Sequence, residues 1–305
     1  MILCVGEILA DMIGVKNGNE LKYDRKAGGA PFNVACSIKR FGAKASFIGA
    51  VGNDLIGDFL IDFVSKQNLD GGKVYKDEKR NTTLAFVELD ENGERSFCFY
   101  RKNTADYNIP EIENKFIEEV DVVHIGSLML SEQVGKEFAV NLAKKAKALG
   151  KIVSFDVNFR TDIFPNKNEA ITIYKQMLEL SDIVKFSEDE VEIFTQEYID
   201  ENLKDKLVCT TLGSDGSMWA YKGRTGKVPS IKVKPVDTTG AGDAFYGGVL
   251  AGLDGKKYGT WTEKELNEVF LFANVCGALN TLGRGAIDNL PTFSEVKEKA
   301  KEIKF

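Results

Sequence analysis

Residues 237–243 read DTTGAGD and run straight into the apolar helical pattern AFYGGVL at 244–250. Gly240 and Gly242 carry no side chain, so the main chain there can turn sharply and approach an anion closely. If a helix opens at Ala241, its first N–H groups have no intrahelical partner and carry the positive end of the helix dipole. Donors on Gly240, Ala241 and Gly242 would suit a phosphoryl group in transit, whose equatorial oxygens gather negative charge. Asp243 falls in the first turn, placed to take a proton from an attacking hydroxyl. An ordinary loop with Asp243 as a simple capping residue fits the same letters. A dinucleotide fingerprint fits badly, because Phe245 stands where its last glycine belongs and the motif lies late in the chain. No GxxxxGK[ST] occurs, which excludes a P-loop enzyme.

A second glycine motif lies near the start. Residues 26–35 read KAGGAPFNVA, a glycine pair followed by a helix start with Pro31 at an early helical position. Residues 49–57, GAVGNDLIG, read as a strand end and another helix start. With DTTGAGD, these segments resemble the two signatures of the PfkB (ribokinase-like) family of sugar kinases, in the family's order and spacing. The resemblance runs essentially from Met1 to the last helix. Within the family it leans to fructokinase, carried by VGEILADM, GGAPFNVA, GERSFCFYR, HIGS and GAIDNLPT.

The chain's patterning points the same way independently. Apolar runs of strand length at 2–6, 45–51, 120–125, 152–155, 183–186 and 207–211 alternate with amphipathic helical stretches at 55–66, 133–149, 171–180, 188–196 and 263–282. That alternation predicts one doubly wound, mainly parallel α/β domain over 1–305 with helices on both faces. One insert breaks the pattern: residues 82–89, a DENG turn and residues 95–101 read as a β-hairpin. With strands from about 11–27 it would form the small β-sheet lid that the family resemblance implies. Strand alternation puts Phe97, Phe99 and Arg101 on one face, to close the sugar site, and leaves the other to meet a second subunit as a homodimer. A plain surface hairpin fits that periodicity equally.

Carried residue by residue onto this chain, the resemblance implies a site. Asp11, Gly28, Gly29 and Asn33 would hold the sugar with Phe97, Phe99, Arg101, Asn158 and Asp243, whereas taken singly Asp11 and Asn33 read as turn or capping residues. Asp243 would be the base, Gly240 to Gly242 the anion hole, and Arg160 a charge-stabilising partner, because a guanidinium forks onto oxyanions. ATP would meet Asn158, Lys185, Glu190, Thr211, Gly213, Gly216, Gly240, Gly242, Asn274 and Gly277. Mg²⁺ would accompany it, with Glu190 acting through water. Ser187 departs from the family's NxxE pattern by replacing the asparagine. Many relatives also bind a monovalent cation, here matched by Asp237, Thr239, Asn280, Gly283, Gly285 and Asn289. Such a loop can coordinate K⁺ and can equally be a plain turn. The implied reaction is ATP-dependent phosphorylation of a ketohexose, fructose to fructose 6-phosphate first. Ribose and 2-keto-3-deoxygluconate are alternatives within the family, and a non-catalytic sugar-binding regulator or a nicotinamide oxidoreductase outside it.

Composition narrows the field from another side. The 305 residues are 43% hydrophobic, normal for a packed globule. Cys4, Cys36, Cys98, Cys209 and Cys276 show no CxxC pair or metal-ligand spacing and read as reduced core thiols. No secretory leader pattern or long apolar run is present, so a cytoplasmic protein without membrane contact is the expectation. A net charge of −6 gives no basic field for nucleic acid. His124, the only histidine, lies in the strand-like DVVHIGSL without a GxSxG elbow nearby, so a core or strand-end histidine is expected rather than a Ser-His-Asp base, and zinc sites built from several histidines are excluded. Acid–base chemistry therefore falls to carboxylates.

Overall fold

The computed structural model describes residues 1–17, 20–89, 95–160, 163–164 and 166–303. The main sheet takes β1 (Ile2–Val5), β4 (Ala45–Gly52), β5 (Gly71–Asp77), β8 (Val122–Ile125), β9 (Ile152–Asp156), β10 (Ile183–Ser187), β11 (Leu207–Thr211), β12 (Ser217–Tyr221) and β13 (Arg224–Val228). Their order is β13-β12-β11-β10-β9-β8-β1-β4-β5. Every pairing is parallel except β11 with β12 and β12 with β13.

Alternate strand residues feed two cores. Ile2, Cys4, Phe47 and Ile183 join a cluster with α1 (Ala30–Arg40), α8 (Ala241–Leu253) and α9 (Glu263–Asn280). Leu3, Val5, Ile48 and Val184 face the opposite cluster with α4 (Gln133–Ala148) and α5 (Lys167–Leu180). Strands buried on both faces explain why these segments read as continuous apolar runs.

A second sheet of order β3-β2-β6-β7 stands apart. It comprises β2 (Leu9–Asn17), β3 (Glu20–Gly28), β6 (Leu84–Leu89) and β7 (Arg95–Tyr100), with β2 and β6 parallel and the other pairs antiparallel. This is the expected lid, with β2 and β3 reaching beyond 11–27 at both ends. It packs on the body through Leu9, Ala85 and Leu128, with Phe99 and Ile163 against them, through Ala27, which joins the first core, and through Arg25 over the Phe59 ring. The expected DENG turn and the side chain of Phe97 lie outside the described residues.

Several boundaries differ from expectation for local reasons. The lid strand starts at Leu84 rather than Thr82, because Thr82 and Thr83 use their hydroxyls on Asp54 and Asp106 at 2.9 and 2.5 Å. Arg101 leaves the strand to enter a buried turn. The predicted helix 188–196 is broken at Thr195, whose φ of 68° separates α6 (Glu188–Phe194) from α7 (Gln196–Asn202). Cys98 is exposed on the lid, so it is not the core thiol expected; the other four cysteines are buried. His124 is a core residue as expected, its Nδ1 3.1 Å from Ser154 Oγ. Burial, aided by the Lys185 charge, pushes it down to about 3, so it is neutral. Among the described residues, no helix is long and apolar enough to cross a membrane.

Candidate active site

The parallel strands end on one side of the main sheet, and the predicted residues gather there. Gly240 caps α8 in the left-handed region at φ 73°, and a Cβ on it would stand 2.6 Å from Ala286 Cα. Only glycine fits that turn. The N–H groups at the start of α8 are therefore fixed donors, and Asp243 sits in the first turn as predicted. Asn33 of α1 donates Nδ2 to Asp243 Oδ2 at 2.8 Å, joining the two glycine motifs across 210 residues. Burial raises Asp243 to about 6, with Asp156 adding to the rise. The Asn33 bond, Lys185 and Arg160 favour its charged form and limit the shift.

Under α8 lies a buried ion pair. Lys185 Nζ, from the middle of β10, is 2.8 and 2.9 Å from the Asp156 carboxylate oxygens at the end of β9. The ammonium is also 3.5 Å from where a Cβ on Gly242 would stand, directly behind the helix start. Burial opposes its charge, but Asp156 and Glu190 outweigh that and raise Lys185 above the ordinary lysine value. Positive charge thus stands behind the same donors that would face a phosphate.

On the lid side, Gly28 and Gly29 are both dictated by close approach. A Cβ on Gly28 would lie 2.1 Å from Asp11 Oδ2, and one on Gly29, at φ 113°, 2.4 Å from Glu7 O. Asp11, half-buried, is pushed up to about 7 by burial and then by the Asp243 charge. Phe99 is half-buried at the lid contact. Arg101 is not presented as predicted: it is 7% exposed, with Nε on Asp106 at 2.7 Å and Nη1 on Ser131 at 2.5 Å.

A cavity of ≈ 360 Å³ opens beside the start of α8 and is lined by Thr211, Gly213, Gly216, Gly242, Asn274 and Gly277 among others. These are six of the residues predicted to meet a nucleotide, and the cavity's walls include Ile231, Val233 and Phe245. An apolar cleft ending at fixed N–H donors fits a purine nucleotide with its phosphates over α8. Asn274 lines it while donating Nδ2 to Val228 O at 2.9 Å and Pro229 O at 3.2 Å, so its amide N–H groups shape the wall. Asn158 holds φ 37° at the end of β9, and Arg160 is exposed with Nη1 on Phe159 O at 3.3 Å.

The metal positions are built differently. Glu190 accepts from Phe159 N at 2.6 Å and from Ser187 N at 2.7 Å. Ser187 in turn caps α6, so serine completes a capping box where the family pattern has asparagine. No cluster of three acidic, histidine or cysteine residues suited to a metal occurs among the described residues. A magnesium ion here would be carried by nucleotide phosphates, with Glu190 at most behind its waters. The predicted cation loop does assemble. Asp237 accepts from Thr239 N and Oγ1 and from Gly285 N at 2.8, 2.7 and 3.0 Å. Asn280 Nδ2 reaches Thr239 O and Ala286 O at 3.3 and 3.2 Å, while its buried Oδ1 has no partner among the described residues. Gly283 packs against Asn289, where a Cβ would meet Cγ at 2.2 Å. That orphaned oxygen fits a cation's demand for oxygen ligands.

Sequence reasoning passed over Glu7 and Asp106, both fully or almost fully buried. The available signal was a carboxylate between apolar neighbours in VGEIL, a setting in which a charge needs a reason.

A nine-stranded α/β sheet, a smaller separate sheet and a cleft beside the glycine-capped start of α8 are the architecture of a ribokinase-like carbohydrate kinase. The family model "pfkB family carbohydrate kinase" matches residues 1–293, and the chain belongs to that family. It is 36% identical over 312 residues to Fructokinase-1 of Zea mays, covering 97% of this chain and 96% of that one. The structure of Xylella fastidiosa fructokinase with bound ATP superposes with a TM-score of 0.92 at 30% identity, covering 99% and 98% of the two chains. The Vibrio cholerae O395 fructokinase, in its fructose, ADP and calcium ion bound form, gives 0.86 at 31% identity and 97% coverage of each chain.

Proposed function

We propose that this chain transfers the γ-phosphoryl group of Mg·ATP to the 6-hydroxyl of fructose. The observation that carries the chemistry is the Asn33–Asp243 bond of 2.8 Å at the first turn of α8. It holds the base beside the N–H donors of residues 240–242, so one hydroxyl can reach both. The hydroxyl oxygen attacks phosphorus as its proton passes to Asp243, and ADP departs along the cleft. Charge developing on the phosphoryl oxygens meets the donors of Gly240, Ala241 and Gly242, with Lys185 behind them and Arg160 at the rim. Magnesium on the nucleotide would neutralise phosphate charge, and a monovalent cation such as K⁺ in the 237–289 loop would steady the anion hole.

A neutral sugar is supported by the charge of the pocket. Asp11 and Asp243 act on each other electrostatically there, and the Arg101 guanidinium, a cation that would suit an acid substrate, is engaged by Asp106. A sugar acid such as 2-keto-3-deoxygluconate would meet carboxylates. The relatives named fructokinase support fructose among neutral sugars. On the outer lid face, Leu21 and Tyr100 are 46% and 62% exposed, which supports a homodimer through the lid.

A coupled ADP-release assay over fructose, ribose, 2-keto-3-deoxygluconate, tagatose and nucleosides, with and without K⁺, tests the reading. Turnover on fructose well above the rest is expected. Preference for the sugar acid would overturn the substrate, and silence across the panel the catalysis, leaving a sugar-binding regulator.

A further inference from the structure

Glu7 stands where the chain leaves β1 for the lid. It is 0% exposed, and neither carboxylate oxygen has a hydrogen-bond partner among the described residues. Its Oε2 lies 2.5 Å from where a Cβ on Gly126 would stand, so it is pressed against the chain just beyond β8. Ser127 Oγ and Tyr174 OH are buried beside each other with no other partner among the described residues. A carboxylate in such a setting is an anomaly, since buried polar atoms are almost always paired.

A buried cation with a spare donor acts on it. Arg101 gives Nε to Asp106 and Nη1 to Ser131, while its Nη2 is buried with no partner among the described residues. Arg101 acts on Glu7 electrostatically without a bond between them. The two groups belong to different crossings between lid and body. Glu7 and Ile8 carry the chain from β1 to β2, Gly28 and Gly29 from β3 to α1, Thr82 and Thr83 into β6, and Arg101 out of β7. Asp106 ties two of these together by accepting from Thr83 Oγ1 at 2.5 Å and Arg101 Nε at 2.7 Å. Outside these crossings the lid meets the body through the apolar contact of Leu9, Ala85 and Leu128, a half-exposed Lys26–Asp288 ion pair at 2.9 Å and the exposed Arg25 over the Phe59 ring at 3.9 Å, contacts that a rigid-body movement of the sheet can exchange.

We propose that Glu7 is a positioning residue of the kinase reaction: its carboxylate takes the spare Nη2 of Arg101 when the lid sheet settles onto a bound sugar. The pair then fixes Asp11 on β2 and Gly28 on β3 against the substrate. This rests on the sugar-kinase reading. Leaving a buried carboxylate and a buried guanidinium N–H both unpaired is costly, so an arrangement that pairs them is favoured once the sheet moves. Burial, with Asp106 and Asp243 adding to it, pushes Glu7 up to about 7, against its own backbone N–H and then the Arg101 charge, which favour the ionised form. Tyr174, the other titratable group acting on it, stays protonated, pushed above the ordinary tyrosine value by burial.

The test uses the full-length chain as wild type, Glu7→Gln, Arg101→Lys and the double variant. The probe is fructose, or the panel sugar that the wild type turns over fastest. Glu7→Gln should raise the sugar KM about ten-fold and leave the ATP KM within about two-fold, the signature of lost substrate positioning. In the Arg101→Lys background it should raise the sugar KM no further, because coupled groups are not additive. Hydrogen exchange should show sugar-induced protection of residues 8–10 and 83–85 in the wild type and its loss in Glu7→Gln without any fall in Tm. Unchanged sugar KM and protection in Glu7→Gln, or additive effects in the double variant, would overturn the proposal. Should Arg101→Lys fail to fold, the protection difference between wild type and Glu7→Gln still decides. The exchange experiment needs sugar binding and no turnover, so a catalytically silent wild type would sink the kinase reading alone.

Discussion

Replacing Asn33 by leucine should move the acid limb of the kcat–pH profile upward by about one unit. The base works ionised, so activity is present above its pKa and lost as pH falls through it. Asp243 stands at about 6 because burial raises it and the Asn33 amide, bonded to Oδ2 at 2.8 Å, partly restrains the rise. A hydrogen bond to a charged group contributes ~1.5–3 kcal/mol, which at ~1.4 kcal/mol per unit is roughly one to two units. Asp243 is half-buried and keeps some solvent and the Lys185 and Arg160 charges, so the lower end applies. At pH 6 the ionised fraction then falls from roughly a half to roughly a tenth, a loss of about five-fold that shrinks to almost nothing by about pH 8. Leucine is chosen over alanine to keep water from replacing the amide. The assay is coupled ADP release from about pH 5 to 9 with sugar and ATP saturating at every point, since Asp11 titrates near the same range and acts on KM. A kcat lowered equally at every pH would mean that Asn33 holds the sugar and not the base. An Asp243→Asn enzyme retaining near-normal kcat would refute the base assignment altogether, as a loss of ~10² to 10⁴ is expected.

Three further perturbations follow from the same geometry. Gly240→Ala places a Cβ 2.6 Å from Ala286 Cα at φ 73°. The loop must shift, and kcat should fall by ~10² or more with sugar affinity little changed, as steady-state kinetics will read. Lys185→Met leaves Asp156 buried and unpaired, which should cost about 3–5 kcal/mol in urea denaturation, with Lys185→Met/Asp156→Leu recovering much of it. For Glu7, whose folded pKa is raised from 4.5 to about 7, the folded state binds the proton more tightly than the unfolded chain. Stability from this group is therefore highest at acid pH and lost as pH rises through about 7, by up to ~3 kcal/mol. Urea denaturation of Glu7→Gln should accordingly show a gain over wild type at pH 8 that vanishes near pH 5; equal gains at both would refute it.

What the sequence made legible follows from which forces act locally. The buried strands announced themselves because both faces are apolar, and β11 was read to the residue. Gly240 to Gly242 and Gly28 to Gly29 were legible because close backbone approach admits one residue type. Edge strand β5, GGKVYKD, was missed because it is half-exposed and carries no apolar run. Short α7 and α10 (Phe293–Ala300) have too few turns for a clear period. At the site, chemistry carried by motif residues was readable, whereas pairings between distant segments were not. That Arg101 would turn inward onto Asp106, or that Glu190 would be engaged by Phe159 N, depends on where the folded backbone brings donors. Glu7 escaped for the same reason: a letter in a run of apolar letters says nothing about which side of a strand junction it faces.

The uneven placement of the thiols makes the molecule chemically addressable. Cys98 is exposed on the small sheet, while Cys4, Cys36, Cys209 and Cys276 are sealed in the body. A maleimide reagent offered to the native chain has one address, two residues before the outward-facing Tyr100 and three before Arg101. A dye coupled there would ride on the lid without any engineered cysteine, turning the sheet's position into an optical signal during turnover.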